Sequence, residues 1–285
     1  MISDYRCFFC FVRASEKLLE KESISEEAKS SFTLDMISLY QNKRSNFSAP
    51  LFSRELHHIL RSYTHNPDPY KEVKKANNDQ AIKMQPELEY IIQQSEDKFN
   101  TALRLAIAGN IIDFAASDNF DLQATIDKAL LSEFAIDHST ELRDRIISAK
   151  SILYLGDNAG EIVFDKLFIE TIKHPNLIYV VRGSPIINDA TMEDAEYVGM
   201  HEIANVISNG YDAPSTIPDK SDKQFQKYFR EADLIISKGQ GNLEGLFPLN
   251  DNRIFFLLMV KCNVIAEFLK VEKERLVVYS STGKP

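Results

Sequence analysis

The stretch Leu153-Tyr154-Leu155-Gly156-Asp157-Asn158-Ala159-Gly160-Glu161 decides the fold class of this chain. An apolar run from Ser151 to Leu155 stops at Gly-Asp-Asn, and an amphipathic segment follows at once. A strand, a turn of small residues and a helix in that order is the α/β arrangement that sites ligands at the carboxyl ends of strands. This turn carries a carboxylate, a carboxamide and a second carboxylate at Asp157, Asn158 and Glu161. Such oxygen donors suit Mg²⁺, Mn²⁺ or another first-row divalent ion better than zinc. The same residues also serve as ordinary turn and cap residues. Neither a dinucleotide-binding glycine fingerprint nor a phosphate-binding P-loop is present in the turn.

Downstream of residue 150, short β-branched and aromatic runs alternate with helix-length segments. The runs are Ser151–Leu155, Leu177–Arg182, Asp233–Ser237, Ile254–Val260 and Leu276–Ser280. That alternation predicts a Rossmann-like α/β/α domain with a mostly parallel sheet over residues 149–285. Upstream, residues 1–148 read as a helical N-terminal region. Leu56, Ile59, Leu60 and Tyr63 form one apolar stripe, Ser25 precedes two glutamates as a cap would, and Pro50 suits a first helical turn. Further helices are expected over 69–82, 87–94 and 97–116, and one over 139–150 leading into the first strand.

The net charge of −9 argues against a nucleic-acid binder, since no basic stripe offsets it. No uncharged run approaches the roughly 20 residues needed to span a bilayer. Three cysteines make no disulfide framework, and the N-terminus lacks a secretory pattern, so a cytoplasmic location is expected. Cys7 and Cys10 are expected as buried helical thiols, with metal or redox use the alternative. Adjacent His57 and His58 face different directions on a helix.

Two more polar clusters follow predicted strands. Arg182-Gly183-Ser184-Pro185-Ile186-Ile187-Asn188-Asp189 follows the second, with Asn188-Asp189 expected to open a helix. Ser237-Lys238-Gly239-Gln240-Gly241-Asn242-Leu243-Glu244 follows the third. If these strands are parallel neighbours, all three clusters reach one rim of the sheet. That set suits phosphoryl chemistry. Asp157, Asn158 and Asp189 would hold the cation, Lys238 would supply positive charge to phosphoryl oxygens, and backbone N–H groups of Gly239–Asn242 would bind the rest. Three ordinary polar loops remain the plainer alternative.

Gly156-Asp157-Asn158-Ala159-Gly160-Glu161, Asn188-Asp189-Ala190-Thr191-Met192-Glu193-Asp194-Ala195 and Lys238-Gly239-Gln240-Gly241-Asn242-Leu243-Glu244 together resemble the damage-control phosphatase family, also called domain of unknown function 89. Cys7-Phe8-Phe9-Cys10, Asp68-Pro69-Tyr70 with Lys74 or Lys75, Gly109-Asn110-Ile111-Ile112-Asp113 and Lys261-Cys262 are similar to its smaller prokaryotic-type branch. The resemblance implies a metal-dependent phosphatase acting on a small phosphorylated metabolite, such as a sugar phosphate or damaged cofactor fragment, with Asp157, Asn158 and Asp189 as metal ligands and Lys238 through Asn242 facing the phosphate. Leu243 stands where that family more often has an aromatic. Asn110 and Asp113 share a helix face; they read either as helix-end capping residues or, under the resemblance, as closing the pocket over substrate. Two rival functions are a nucleotide-cofactor transferase such as a methyltransferase, and a non-catalytic phosphometabolite sensor.

Overall fold

A computed structural model describes residues 4–109 and 122–281. The chain opens with α1 (Tyr5–Lys21), α2 (Glu26–Lys43), α3 (Ala49–Thr64), α4 (Lys71–Gln94), α5 (Lys98–Ala108) and α6 (Leu122–Leu131). There follow β1 (Ile136–Asp137), α7 (Ser139–Ser148), β2 (Ile152–Leu155), α8 (Glu161–Ile172), β3 (Leu177–Val181), α9 (Met192–Tyr197) and β4 (Asn205–Ser208). The last elements are α10 (Lys223–Glu231), β5 (Leu234–Lys238), α11 (Gly239–Leu246), β6 (Ile254–Met259), α12 (Asn263–Leu269) and β7 (Leu276–Ser280).

The seven strands form one sheet in the order β1-β7-β6-β5-β2-β3-β4, parallel except where β6 meets β7. Every residue of β2, β5, β6 and β7 is buried, as expected of strands covered on both faces. Alternation of side chains splits them between two cores. Ile152 and Tyr154 face the core shared with α4, α5 and α8, while Leu153 and Leu155 face the one shared with α10, α11 and α12. Strand order reverses between β2 and β5, which opens a crevice at their carboxyl ends.

Three features differ from expectation. The first concerns the helical region, which divides between two cores. Helices α1 to α3 close over their own core of Leu18, Phe32, Phe52, Leu56 and Leu60, whereas α4 and α5 share a core with the sheet and β1 pairs with β7. The division expected at 148/149 therefore does not coincide with a break in the core. Second, α4 runs unbroken through Pro86, where two helices were expected. Met84, Leu88 and Ile92 on its buried face supply packing that offsets the ~3 kcal/mol cost of an internal proline. Third, the helix expected to open at Asn188-Asp189 begins only at Met192. Thr191 caps it, and the Asp194 carboxylate accepts from the Thr191 backbone N–H at 2.9 Å.

Candidate active site

The β2–α8 and β3–α9 loops are zipped together by backbone. Ala159 N–H donates to the Asn188 carbonyl and Ala190 N–H donates to the Asp157 carbonyl, each at 2.8 Å, so Asn158 and Asp189 form an isolated antiparallel bridge. This pairing brings Asp157 and Asp189 onto one guanidinium. Arg182 Nε donates to Asp189 at 2.6 Å, its Nη2 lies 3.5 Å from Asp157, and its Nη1 donates to Thr216 at 3.2 Å. All three charged side chains are buried. Burial, together with the charges of Glu161 and Asp189, pushes the Asp157 carboxyl up to about 7 against the pull of Arg182 and Lys261. Burial likewise raises the Asp189 carboxyl, while Arg182 opposes the rise. Two carboxylates forced together out of water favour a nearby cation or a retained proton.

Asn158 is oriented by its neighbours. Its Nδ2 donates to Asp157 at 2.9 Å and to Glu161 at 3.0 Å, which leaves Oδ1 with no described donor. A carboxamide fixed this way presents an oxygen to a metal. Among the described residues no group of three or more histidine, cysteine, aspartate or glutamate side chains is arranged to hold a metal. The donor set is thus two carboxylates and one carboxamide oxygen. That fits Mg²⁺ or Mn²⁺, hard ions that bind through one or two carboxylates and keep water or phosphate oxygens in the remaining positions.

Lys238 is placed differently from the expectation. Its ammonium lies beneath the loops, donating to Glu161 at 2.7 Å, to the Ala106 carbonyl at 2.8 Å and to Asp165. Asp165 also accepts from Tyr154 at 2.8 Å and Tyr179 at 2.9 Å. Lys238, Glu161 and Asp165 are fully buried. The two carboxylates hold the Lys238 ammonium protonated, above the ordinary lysine value, despite the opposing effect of burial. With its charge spent on them, Lys238 is not free to meet a phosphate. It acts at a distance, holding Glu161, which holds Asn158.

The Asn242 side chain has a structural part. It is enclosed, donating to the Lys238 carbonyl at 2.8 Å and to the Gly156 carbonyl at 3.2 Å, and accepting from Thr216 N–H at 2.7 Å. Its side chain braces two loops, and the expected use of the Gly239–Asn242 backbone N–H groups is independent of it. Gly239 has φ +78°, and a Cβ there would lie 1.9 Å from Asp157 Oδ2. The Asp157 carboxylate therefore rests directly on the start of α11, where any side chain would displace it. Asn110 and Asp113 lie outside the described residues.

A cavity of about 630 Å³ opens over Asp157, Asn158 and Asp189. Its far walls come from α1 and α3, through Cys7, Cys10, Arg13 and Ser53, and from the β6–α12 segment, through Lys261 and Cys262. Cys7 and Cys262 are half-buried and Cys10 is exposed, all three as free thiols, so the expectation of core cysteines is corrected. Burial first, and the charge of Glu244 next, push the Cys7 thiol up to about 12, which keeps it protonated.

Several residues that build the site escaped the sequence reading of its chemistry. Arg182 stands in a quoted cluster without a role, Glu161 reads only as an oxygen donor of the turn, and Asp165 is not singled out. Lys261 is exposed, lines the cavity, lowers the Asp157 carboxyl by its charge and forms no ion pair with a described residue. On α4, Asn78 accepts from Gly160 N–H at 2.6 Å and donates to Asp194 at 2.9 Å. Lys74 pairs with Asp68 at 3.0 Å and Asp194 at 3.2 Å. Through these contacts the helical layer grips both ligand-bearing loops.

The chain is similar to known proteins in sequence and fold. A family model described as the damage-control phosphatase ARMT1-like domain matches residues 3–277. A damage-control phosphatase of Pyrococcus horikoshii is 34% identical over 278 residues, covering 96% of both chains. One from Archaeoglobus fulgidus is 37% identical over 210 residues, covering 72% of this chain and 73% of that one. The crystal structure of a DUF89 family protein from Pyrococcus horikoshii superposes with a TM-score of 0.90 at 32% identity, covering 99% of each chain.

Proposed function

Since this chain belongs to the damage-control phosphatase family with an ARMT1-like domain, we propose that it is a metal-dependent phosphomonoester hydrolase acting on a small phosphorylated metabolite. One observation carries the metal dependence. Asp157 and Asp189, from different loops, are both buried and both reach the Arg182 guanidinium. A divalent cation bound there would polarise the phosphoryl group and lower the pKa of a water molecule.

The chain's own residues supply the rest. In this reading Asp157, Asn158 and Asp189 supply the oxygen donors to the cation, and Arg182 contacts both carboxylates. Lys261, exposed on the cavity wall, offers a point charge to phosphoryl oxygens in the role the sequence assigned to Lys238. Helix α1 and the start of α3 wall off the opposite side, which limits the substrate to a small molecule. A transferase bound to a nucleotide cofactor finds less support, because Arg182 stands after β3 where an acidic ribose ligand would be expected.

The test is a phosphatase screen of the purified protein with Mg²⁺, Mn²⁺ and other first-row divalent ions. Metal-stimulated hydrolysis that is lost in D157A and in D189A, both remaining folded, supports the reading. Full activity in either variant refutes it.

A further inference from the structure

Glu244 is a carboxylate on the cavity wall that the chemistry above does not use. It sits on α11, five residues after Gly239, on whose backbone Asp157 rests. At the helical rise this places it about 7.5 Å along the axis from the phosphate end of the cavity. Gln240 fixes it: Gln240 Nε2 donates to Glu244 Oε1 at 3.3 Å and to the Cys262 thiol at 3.4 Å, while its Oε1 accepts from Lys261 N–H at 3.3 Å. The second oxygen, Oε2, has no described partner. Burial pushes the Glu244 carboxyl up to about 7, so near neutral pH it both accepts and donates hydrogen bonds. A half-buried carboxyl with an open oxygen, held by Gln240 and lining the cavity, is placed to hydrogen-bond a ligand there.

We infer that Glu244 determines substrate specificity by hydrogen-bonding a hydroxyl group of the leaving alcohol, at the end remote from the phosphate. This rests on the phosphatase reading and deepens it. The preferred ester is one whose alcohol carries further hydroxyls three or four carbons from the ester oxygen. A second phosphate at that end is disfavoured by the charge of Glu244. Among the described residues Glu244 hydrogen-bonds Gln240 and none of Asp157, Asn158 or Asp189, so its removal bears on recognition of the alcohol more than on hydrolysis itself.

The test compares two monoesters of four-carbon alcohols, D-erythritol 4-phosphate and n-butyl phosphate, under steady-state conditions with Mn²⁺. The unaltered protein is expected to favour the erythritol ester in kcat/KM by about ten- to a hundredfold, the size of a hydrogen bond to a charged group. In E244A the loss on the erythritol ester should exceed the loss on the butyl ester by at least about tenfold, chiefly through KM. E244Q, which still accepts and donates, should keep most of the preference. Should E244A fail to fold, E244L fills the space without a polar atom and takes its place. Equal losses on both esters, an unchanged ratio in E244A, or a preference for erythritol 1,4-bisphosphate would overturn the assignment. An unaltered protein that hydrolyses both monoesters equally well overturns the role of Glu244 and leaves the phosphatase reading standing. Failure to hydrolyse either ester with any divalent ion overturns both.

Discussion

Asp157 and Asp189 reach the same guanidinium from two different strand ends, Arg182 standing 2.6 Å from one carboxylate and 3.5 Å from the other. The arginine is 1% exposed, and among the described residues its guanidinium meets these two carboxylates and Thr216. Replacing it with methionine leaves two buried carboxylates uncompensated. R182M should lose about 3–5 kcal/mol of stability in urea unfolding without metal. Saturating Mn²⁺ should restore part of that loss, because a cation between the carboxylates does the same electrostatic work. A variant equally unstable with and without Mn²⁺ would show that no cation reaches them.

Lys238 and Lys261 should behave oppositely. K238M strands Glu161 and Asp165 in the core and should cost about 3–5 kcal/mol of stability. K261M, on an exposed side chain without an ion pair, should leave the unfolding midpoint within about 0.5 kcal/mol while raising KM for phosphate esters several-fold. Unfolding curves and steady-state kinetics on the same preparations separate the two. If K238M proves fully stable but inactive, Lys238 meets the phosphate after all.

Asn78 ties α4 to both loops through Gly160 and Asp194. N78A leaves a buried N–H and a buried carboxylate oxygen without partners, at about 1–3 kcal/mol. Because Gly160 lies two residues from Asn158, divalent-ion affinity should fall by about 10- to 100-fold as well. Calorimetric titration with Mn²⁺ measures this, and unchanged affinity would separate the helical layer from the site.

His57 gives the pH dependence of stability a definite sign. It is buried, with Nδ1 bonded to the Ser53 carbonyl at 2.8 Å and Nε2 without a partner. Burial lowers its pKa from 6.5 to about 4. Protonation thus favours the unfolded chain, so this contribution is complete above pH 6.5 and lost as pH falls toward 4. His57→Phe should flatten the acid limb in that window by up to about 1.4 kcal/mol per pH unit, read from urea midpoints across the range. An unchanged slope would assign the acid limb to other groups.

Much of the fold is legible because strands and turns here are punctuated sharply. Five strands bounded by glycine or polar loops match their expected ranges to within one or two residues, and β2, β3 and β5 deliver the three polar clusters to one edge. The strands left unseen, β1 and β4, are short, and β4 is only partly buried, so neither carries a strong apolar run. The continuation of α4 through Pro86 depends on tertiary packing, which local propensity does not encode. At the site, the proximity of Asp157 to Asp189 follows from loop order. The fate of Lys238 does not, because its partners Glu161 and Asp165 lie on a helix whose burial only the folded layers reveal. The same reason hid Arg182, whose role exists only when both loops are in place.

The most direct measurement counts Mn²⁺ ions bound to the protein by electron paramagnetic resonance of the free ion. One site per chain is expected in the unaltered protein, with D157N and D189N each abolishing it while remaining folded. Retention of the full site in either single variant would contradict a cation shared by the two carboxylates.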